Sequence, residues 1–266
     1  MPFRVRAALN IEGGFNDGMI SPLFVFCVAN LVKAEGDTFG DLVLSAFKGA
    51  GYAVVVGGVL GFLAARLARW TLDAGWAKPG GLRMASLALP FLAYAASVLI
   101  GGNGFVAAFV TGLFYARTAH AIGNDNLDLV YDVSHLMALA VWFTFGKLIA
   151  DEFAHGIDFP VVAYALLALT VARFVPVVAA LDGTGFSWPE RGAIGWLGSR
   201  GVTSIVFAVL AYNQLAGDDA AFVVNVTCAT VLLSVLLHGI TMEPVARWFA
   251  RHPQSEAPST MASPDH

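Results

Sequence analysis

Four ionisable side chains, Glu12, Asp17, Arg173 and Arg200, stand in or at the mouth of stretches that otherwise read as apolar. An ionised side chain at the centre of a bilayer costs about 2.5–3.5 kcal/mol on insertion scales, so such residues pair with one another or line a watery pathway. Glu12 and Asp17 belong to one cluster, Glu12-Gly13-Gly14-Phe15-Asn16-Asp17-Gly18. On a helix Glu12 and Asn16 share a face, and Asp17 is turned about 100° from Asn16. Fifteen charge-free residues, Gly18 to Val32, follow Asp17. A carboxylate held there can take a proton or accept a small cation in place of water, but not both at once. Exclusive occupancy of that kind is the physical basis of exchange. The alternative reading is a capped helix entrance at the membrane surface, with Asp17 satisfied by Asn16 or by backbone.

Arg200 belongs to a second cluster, Gly195-Trp196-Leu197-Gly198-Ser199-Arg200-Gly201. It stands about 12 Å into an otherwise charge-free run that ends at Gly217. Arginine stays protonated when buried and therefore needs an anion. It is either a fixed tie between two helices or a charge held beside an ion site. The reading adopted combines the two: Arg200 pairs with Glu12 as a structural tie, which leaves Asp17 free to titrate. For Arg173, followed by Pro176 in the same run, a structural and an ion-handling role both stand open. His238 reads as a cap or interface residue. Thr227, Thr230 and Ser234 are expected to bond carbonyls of their own helix, and Asn103 to serve a turn.

Composition supplies the setting for these charges. Of 266 residues 58% are hydrophobic and only 13% charged, about half the usual charged quarter. A soluble fold of this size cannot hide so much apolar surface, so lipid is the solvent for most of it. A formal charge of -4 offers no basic footprint for nucleic acid. Cys27 and Cys228 lie in apolar runs and read as packing residues. No structural metal site and no cofactor are expected.

Runs long enough to cross about 30 Å of hydrocarbon lie near 11–32, 42–65, 84–100, 103–117, 133–150, 159–181, 192–212 and 220–241. The fold expected is an all-α polytopic helix bundle of about eight spans occupying residues 1–251, with a disordered cytoplasmic tail at 252–266. Gly101-Gly102-Asn103-Gly104 breaks what would otherwise be one over-long helix. With the N-terminus inside, ten of the fifteen basic residues fall on the cytoplasmic side, and only Lys33, Lys48 and Lys147 lie towards the other. That bias places both termini in the cytoplasm.

Both charged clusters resemble one family. Glu12-Gly-Gly-Phe-Asn16-Asp17-Gly18 is similar to the E-S/G-x-x-N-D-G helix of cation:proton antiporters of the sodium/proton exchanger type, in their NhaP-like bacterial branch. Gly195-Trp-Leu-Gly-Ser-Arg200-Gly201 resembles the family's G-W-F-G-P-R-G helix, with Ser199 where proline is usual. Gly104 to Gly112 and Val231 to Thr241 follow the family's pattern in the right order. The resemblance implies that Asp17 carries the proton or cation with Asn16 beside it, that Glu12 pairs with Arg200, and that Arg173 is the arginine of the preceding helix. It implies electroneutral exchange of Na+ or K+ for H+ across a bacterial plasma membrane, by a homodimeric transporter that is not an enzyme.

The family's earlier broken helix, with its T-D-P type motif, would lie upstream of Glu12, where eleven residues stand. The chain thus reads as the C-terminal portion of an antiporter fold, with an N-terminal half as a missing partner and exchange expected to be incomplete without it. Two other readings stand beside this one. One is a non-transporting, degenerate membrane scaffold. The other is an intramembrane protease built on Tyr131-Asp132; against it, that pair reads as lying in a polar loop and no G-x-G-D follows.

Overall fold

The computed structural model describes residues 1–32, 38–119, 127–153, 156, 158–198 and 200–252; the side chains of 16–18, 79, 118–119 and 151–153 lie outside the described set. The tail expected at 252–266 falls outside it beyond His252. Among the described residues the elements are α1 (Phe3–Met19), α2 (Ser21–Leu31), α3 (Phe39–Asp73), α4 (Pro79–Leu99), α5 (Gly104–Ala119), α6 (Asp128–Phe153), α7 (Phe159–Leu169), α8 (Val171–Ala180), α9 (Trp188–Leu197), α10 (Val202–Gln214) and α11 (Gly217–Arg251). Among the described residues the fold is helical without strands, in agreement with the all-α expectation.

Each apolar run expected from the sequence falls on a helix or on two helices in series. Among the described residues five spans can cross a membrane by length and composition, and six when α9 and α10, bent by 44°, count as one. Ser21–Leu31 and Gly104–Arg117 are shorter apolar helices. The first run is interrupted at Ile20, just before Pro22 in the opening turn of α2, where a missing N–H is tolerated. The sixth is interrupted at Thr170, whose hydroxyl donates to Leu166 O at 2.7 Å. α3 runs eight residues past the expected limit, because Arg66 and Arg69 end the apolar run without ending the helix. Asp132 lies exposed on α6, not in a loop.

The 101–104 break is a turn, as expected. Gly101 adopts a φ of +79°, a left-handed conformation that suits glycine. Asn103 then caps α5: its Oδ1 accepts from the N–H groups of Phe105 and Val106 at 3.0 and 3.2 Å. The same oxygen accepts from buried Ser21 Oγ at 3.0 Å, tying the start of α2 to the start of α5.

Two packing solutions hold the bundle. Large side chains such as Leu99, Phe143 and Phe159 are more than 80% exposed, so lipid covers the outside and close approach must hold the inside. On α3, the residues Ala53, Gly57, Gly61, Ala65 and Ala68 make a buried stripe of small residues. α5 lies against it, and Thr111 Oγ1 donates to Gly57 O at 3.1 Å. The second solution is α11, a central column. Its Val224, Cys228 and Val231 meet Phe145 of α6 and Ile205 of α10; its Phe249 meets Val5 of α1 and Ile194 of α9; its Ala229 meets Val161 and Ala165 of α7. Cys27 is exposed and Cys228 is buried.

The close α3–α5 approach can be tested directly. A Cβ at Gly61 would stand 2.5 Å from Thr111 O, whereas one at Gly58 would meet Phe114 only at 3.7 Å. Gly61→Val is expected to lower thermal stability in detergent, by about 1–3 kcal/mol. Gly58→Ala should leave it unchanged or raise it by up to about 1 kcal/mol.

Candidate functional site

Four elements meet around two arginines. α8 follows the break at Thr170 and carries Arg173, whose side chain is 95% buried. Its guanidinium is held at both ends: Nε donates to Gly195 O at 3.1 Å, and Nη2 donates to Glu12 Oε1 of α1 at 2.7 Å. Gly195 lies in the last turn of α9, where carbonyls lack intrahelical partners and the helix end is negative. Arg173 therefore caps α9 and bonds α1 with the same group. Room for it comes from Gly198, where a Cβ would stand 1.3 Å from Arg173 Nη2. The guanidinium occupies the space that any other residue at 198 would fill.

This corrects the sequence reading, which paired Glu12 with Arg200. The direct partner of Glu12 is Arg173. The physical reason is the path that Gly198 opens across the end of α9, on the side that α8 packs against. Arg200 sits in the non-helical stretch between α9 and α10 and makes no ion pair within 4.0 Å among the described residues. It remains close enough for Coulombic interaction with both Arg173 and Glu12. One carboxylate thus stands beside two guanidiniums, and Glu12 Oε2 is buried without a hydrogen-bond partner among the described residues. The backbones of Asn16 and Asp17 lie in α1, one turn or slightly more beyond Glu12. Their side chains lie outside the described residues.

α11 braces the break between α9 and α10. Ser234 Oγ accepts from Arg200 N–H at 2.8 Å, and Thr241 Oγ1 accepts from Trp196 Nε1 at 2.9 Å. The sequence reading missed the first of these contacts, expecting Ser234 to bond its own helix. Thr230 behaves as expected and donates to Val226 O. The signal for Ser234 was its place, with His238 and Thr241, on one face at a spacing of four and three residues. α9 begins in a capping box, Ser187 with Glu190, whose Oε2 accepts from Ser187 N and Oγ at 2.8 and 2.9 Å. Arg191 of α9 donates to Asp182 Oδ1, in the loop before the helix, at 2.8 Å. That hydrogen bond, with the cation's charge, holds the exposed Asp182 carboxyl below the ordinary carboxylate range.

An acid on α1 is thus tied to an arginine on α8, with a second arginine at the break of a bent span. Residues 1–248 match the family model described as sodium/hydrogen exchanger, transmembrane. The chain belongs to the sodium/hydrogen exchanger family. It is 30% identical over 253 residues to the K(+)/H(+) antiporter NhaP2 of Shewanella baltica (strain OS223), covering 92% of this chain and 42% of that protein. It is 27% identical to the K(+)/H(+) antiporter NhaP of Alkalimonas amylolytica, again over 42% of that relative. It is 26% identical over 260 residues to the Na(+)/H(+) antiporter NhaH of Halobacillus dabanensis, covering 93% of this chain and 62% of that relative. The chain thus spans roughly two-fifths to three-fifths of the length of these curated relatives. This exchanger-family chain is an integral membrane protein.

The Arg173 clearance yields a test. Gly198→Ala is expected to displace the guanidinium and leave Glu12 buried without its partner, a loss of about 3–5 kcal/mol for a broken buried pair. At Gly192 of the same helix nothing lies within 4 Å of an added Cβ, so Gly192→Ala should be tolerated. Thermal unfolding in one detergent would compare the two variants.

Proposed function

We propose that this chain forms part of a secondary transporter that exchanges Na+ or K+ for H+, with Asp17 as the group that alternately holds proton and cation and Asn16 as its neighbour. The observation that carries the reading is the Arg173–Glu12 bond. With Glu12 committed to a guanidinium one turn before Asn16, Asp17 is the acid of α1 left to titrate. Arg200, at the break and without an ion pair among the described residues, supplies a positive charge within Coulombic reach of Glu12, on the same helix as Asp17. Such a charge favours an anionic Asp17 between occupants and opposes a second cation. The relatives support the substrate class from both sides, since two named K(+)/H(+) antiporters and one Na(+)/H(+) antiporter align with the chain.

The reading extends to the assembly. The transporter works as a homodimer in a bacterial plasma membrane, with both termini of this chain cytoplasmic and residues 1–251 forming the transmembrane part. Because the chain covers 42% of the NhaP2 relative, exchange requires the segments that complete the family's length. A non-transporting scaffold is the second reading, and the same fact favours it for the chain by itself.

Everted vesicles loaded with a pH-sensitive dye test both. Cation-driven dequenching is expected when the chain is co-expressed with a family N-terminal half, and should be absent with the chain alone. Asp17→Ala should abolish dequenching at every pH tested. Full exchange by Asp17→Ala would refute the assignment, and no exchange by any combination would favour the scaffold.

A further inference from the structure

The polar face of α11 contains one group that the exchange reading leaves unused. His238 is 4% exposed and lies one turn beyond Ser234. Its Nδ1 stands 2.6 Å from Ser234 O and 3.1 Å from Ser234 Oγ. A carbonyl oxygen only accepts, so Nδ1 must carry the hydrogen. Nε2 is buried and has no hydrogen-bond partner among the described residues. A protonated Nε2 would leave a charged donor unsatisfied in an apolar setting, which is costly. These contacts therefore define both charge and tautomer: a neutral ring with its proton on Nδ1 and a bare Nε2.

We propose that His238 is a positioning residue for the break that carries Arg200, acting through Ser234 as a neutral, Nδ1-protonated imidazole. A serine within a helix ordinarily turns its hydroxyl back to a carbonyl one turn earlier. Here the Nδ1–H lies between the carbonyl and the hydroxyl oxygen of Ser234, and it holds that oxygen where Arg200 N–H reaches it at 2.8 Å. On the other flank of the ring, Trp196 lies 5.4 Å away, tilted by 42°, and is itself anchored to Thr241. Ser234, His238 and Thr241 together fasten both sides of the break: the last turn of α9 through Trp196, and the residue beyond it through the Arg200 backbone. Loss of the ring frees Ser234 to turn away, and the Arg200 charge loses its fixed place.

The proposal distinguishes two conservative replacements. An asparagine amide nitrogen takes the place of Nδ1, whereas a glutamine amide nitrogen takes that of Nε2. Two measurements test it. The first needs no transport: the chain, with 15N-labelled histidine, is reconstituted in nanodiscs and its imidazole signals recorded at neutral pH, His238 being assigned by the signal lost in His238→Asn. A protonated Nδ1 with a bare Nε2 is expected. A protonated Nε2 with a bare Nδ1, or a doubly protonated ring, would overturn the tautomer and with it the proposal.

The second measurement rests on the exchange reading. In the co-expressed system, His238→Gln and His238→Ala should raise the cation KM about threefold to tenfold, the effect of one lost hydrogen bond. Their Vmax per folded protein should stay within about twofold. His238→Asn should remain near the unaltered protein. Equal impairment of Asn and Gln variants, or no change in any, would overturn the positioning role. If the unaltered protein itself shows no exchange, the exchange reading has failed, and the nitrogen signals still decide the tautomer.

Discussion

A guanidinium cannot give up its charge when it is drawn into a membrane, and the arrangement of α1, α8 and α9 follows from that constraint. Arg173 is buried deeply enough that leaving it unpaired would be prohibitive. Its needs are met by one carboxylate from α1 and one free carbonyl from the end of α9. Those two acceptors lie on separate elements, so satisfying a single side chain ties three helices together. The helix end contributes because its last carbonyls are unsatisfied, and the glycine after it because it has no side chain. The break in the α9–α10 span is therefore part of the binding of Arg173 as well as the seat of Arg200.

The remainder of the bundle serves to hold that break steady. α11 runs through the middle of four hydrophobic clusters and presents a hydroxyl to each side of the interruption. On the far side of the bundle, α3 and α5 approach until backbone meets backbone, which glycine permits where larger residues would not. Neither solution uses the hydrophobic effect in its usual form, because lipid already solvates the apolar side chains. Shape and a few well-placed hydrogen bonds take over the role that burial plays in water. Ser21 and Asn103 show the same economy at the α2–α5 junction, where one oxygen accepts three donors.

Much of this was legible in the amino-acid order. The apolar runs locate the helices, the Gly101–Gly104 cluster locates the turn, and charges in apolar runs mark the site. What stayed hidden was the choice of partner for Glu12. In one dimension Arg173 and Arg200 are equivalent candidates, since each is a lone cation in an apolar run. The deciding feature is steric: Gly198 clears a path for one guanidinium across α9, and the helix break turns the other aside. Glycine at 198 was visible, but its meaning requires knowing that α8 packs against that face. Ser234 was misjudged for a similar reason. Serine in a helix normally serves itself, and only the nearby break supplies a better donor. The helix limits of α3 were misjudged because charge marks the edge of the hydrocarbon, not the end of hydrogen bonding.

Glu12 is committed to Arg173 and not to Arg200. A double-mutant cycle on thermal stability, using Glu12→Gln with Arg173→Met and separately with Arg200→Met, measures each coupling in isolation. A coupling of about 2–3 kcal/mol is expected for Glu12 with Arg173, and a clearly smaller one for Glu12 with Arg200. A coupling below about 0.5 kcal/mol for the first pair, or a larger value for the second, would contradict the account.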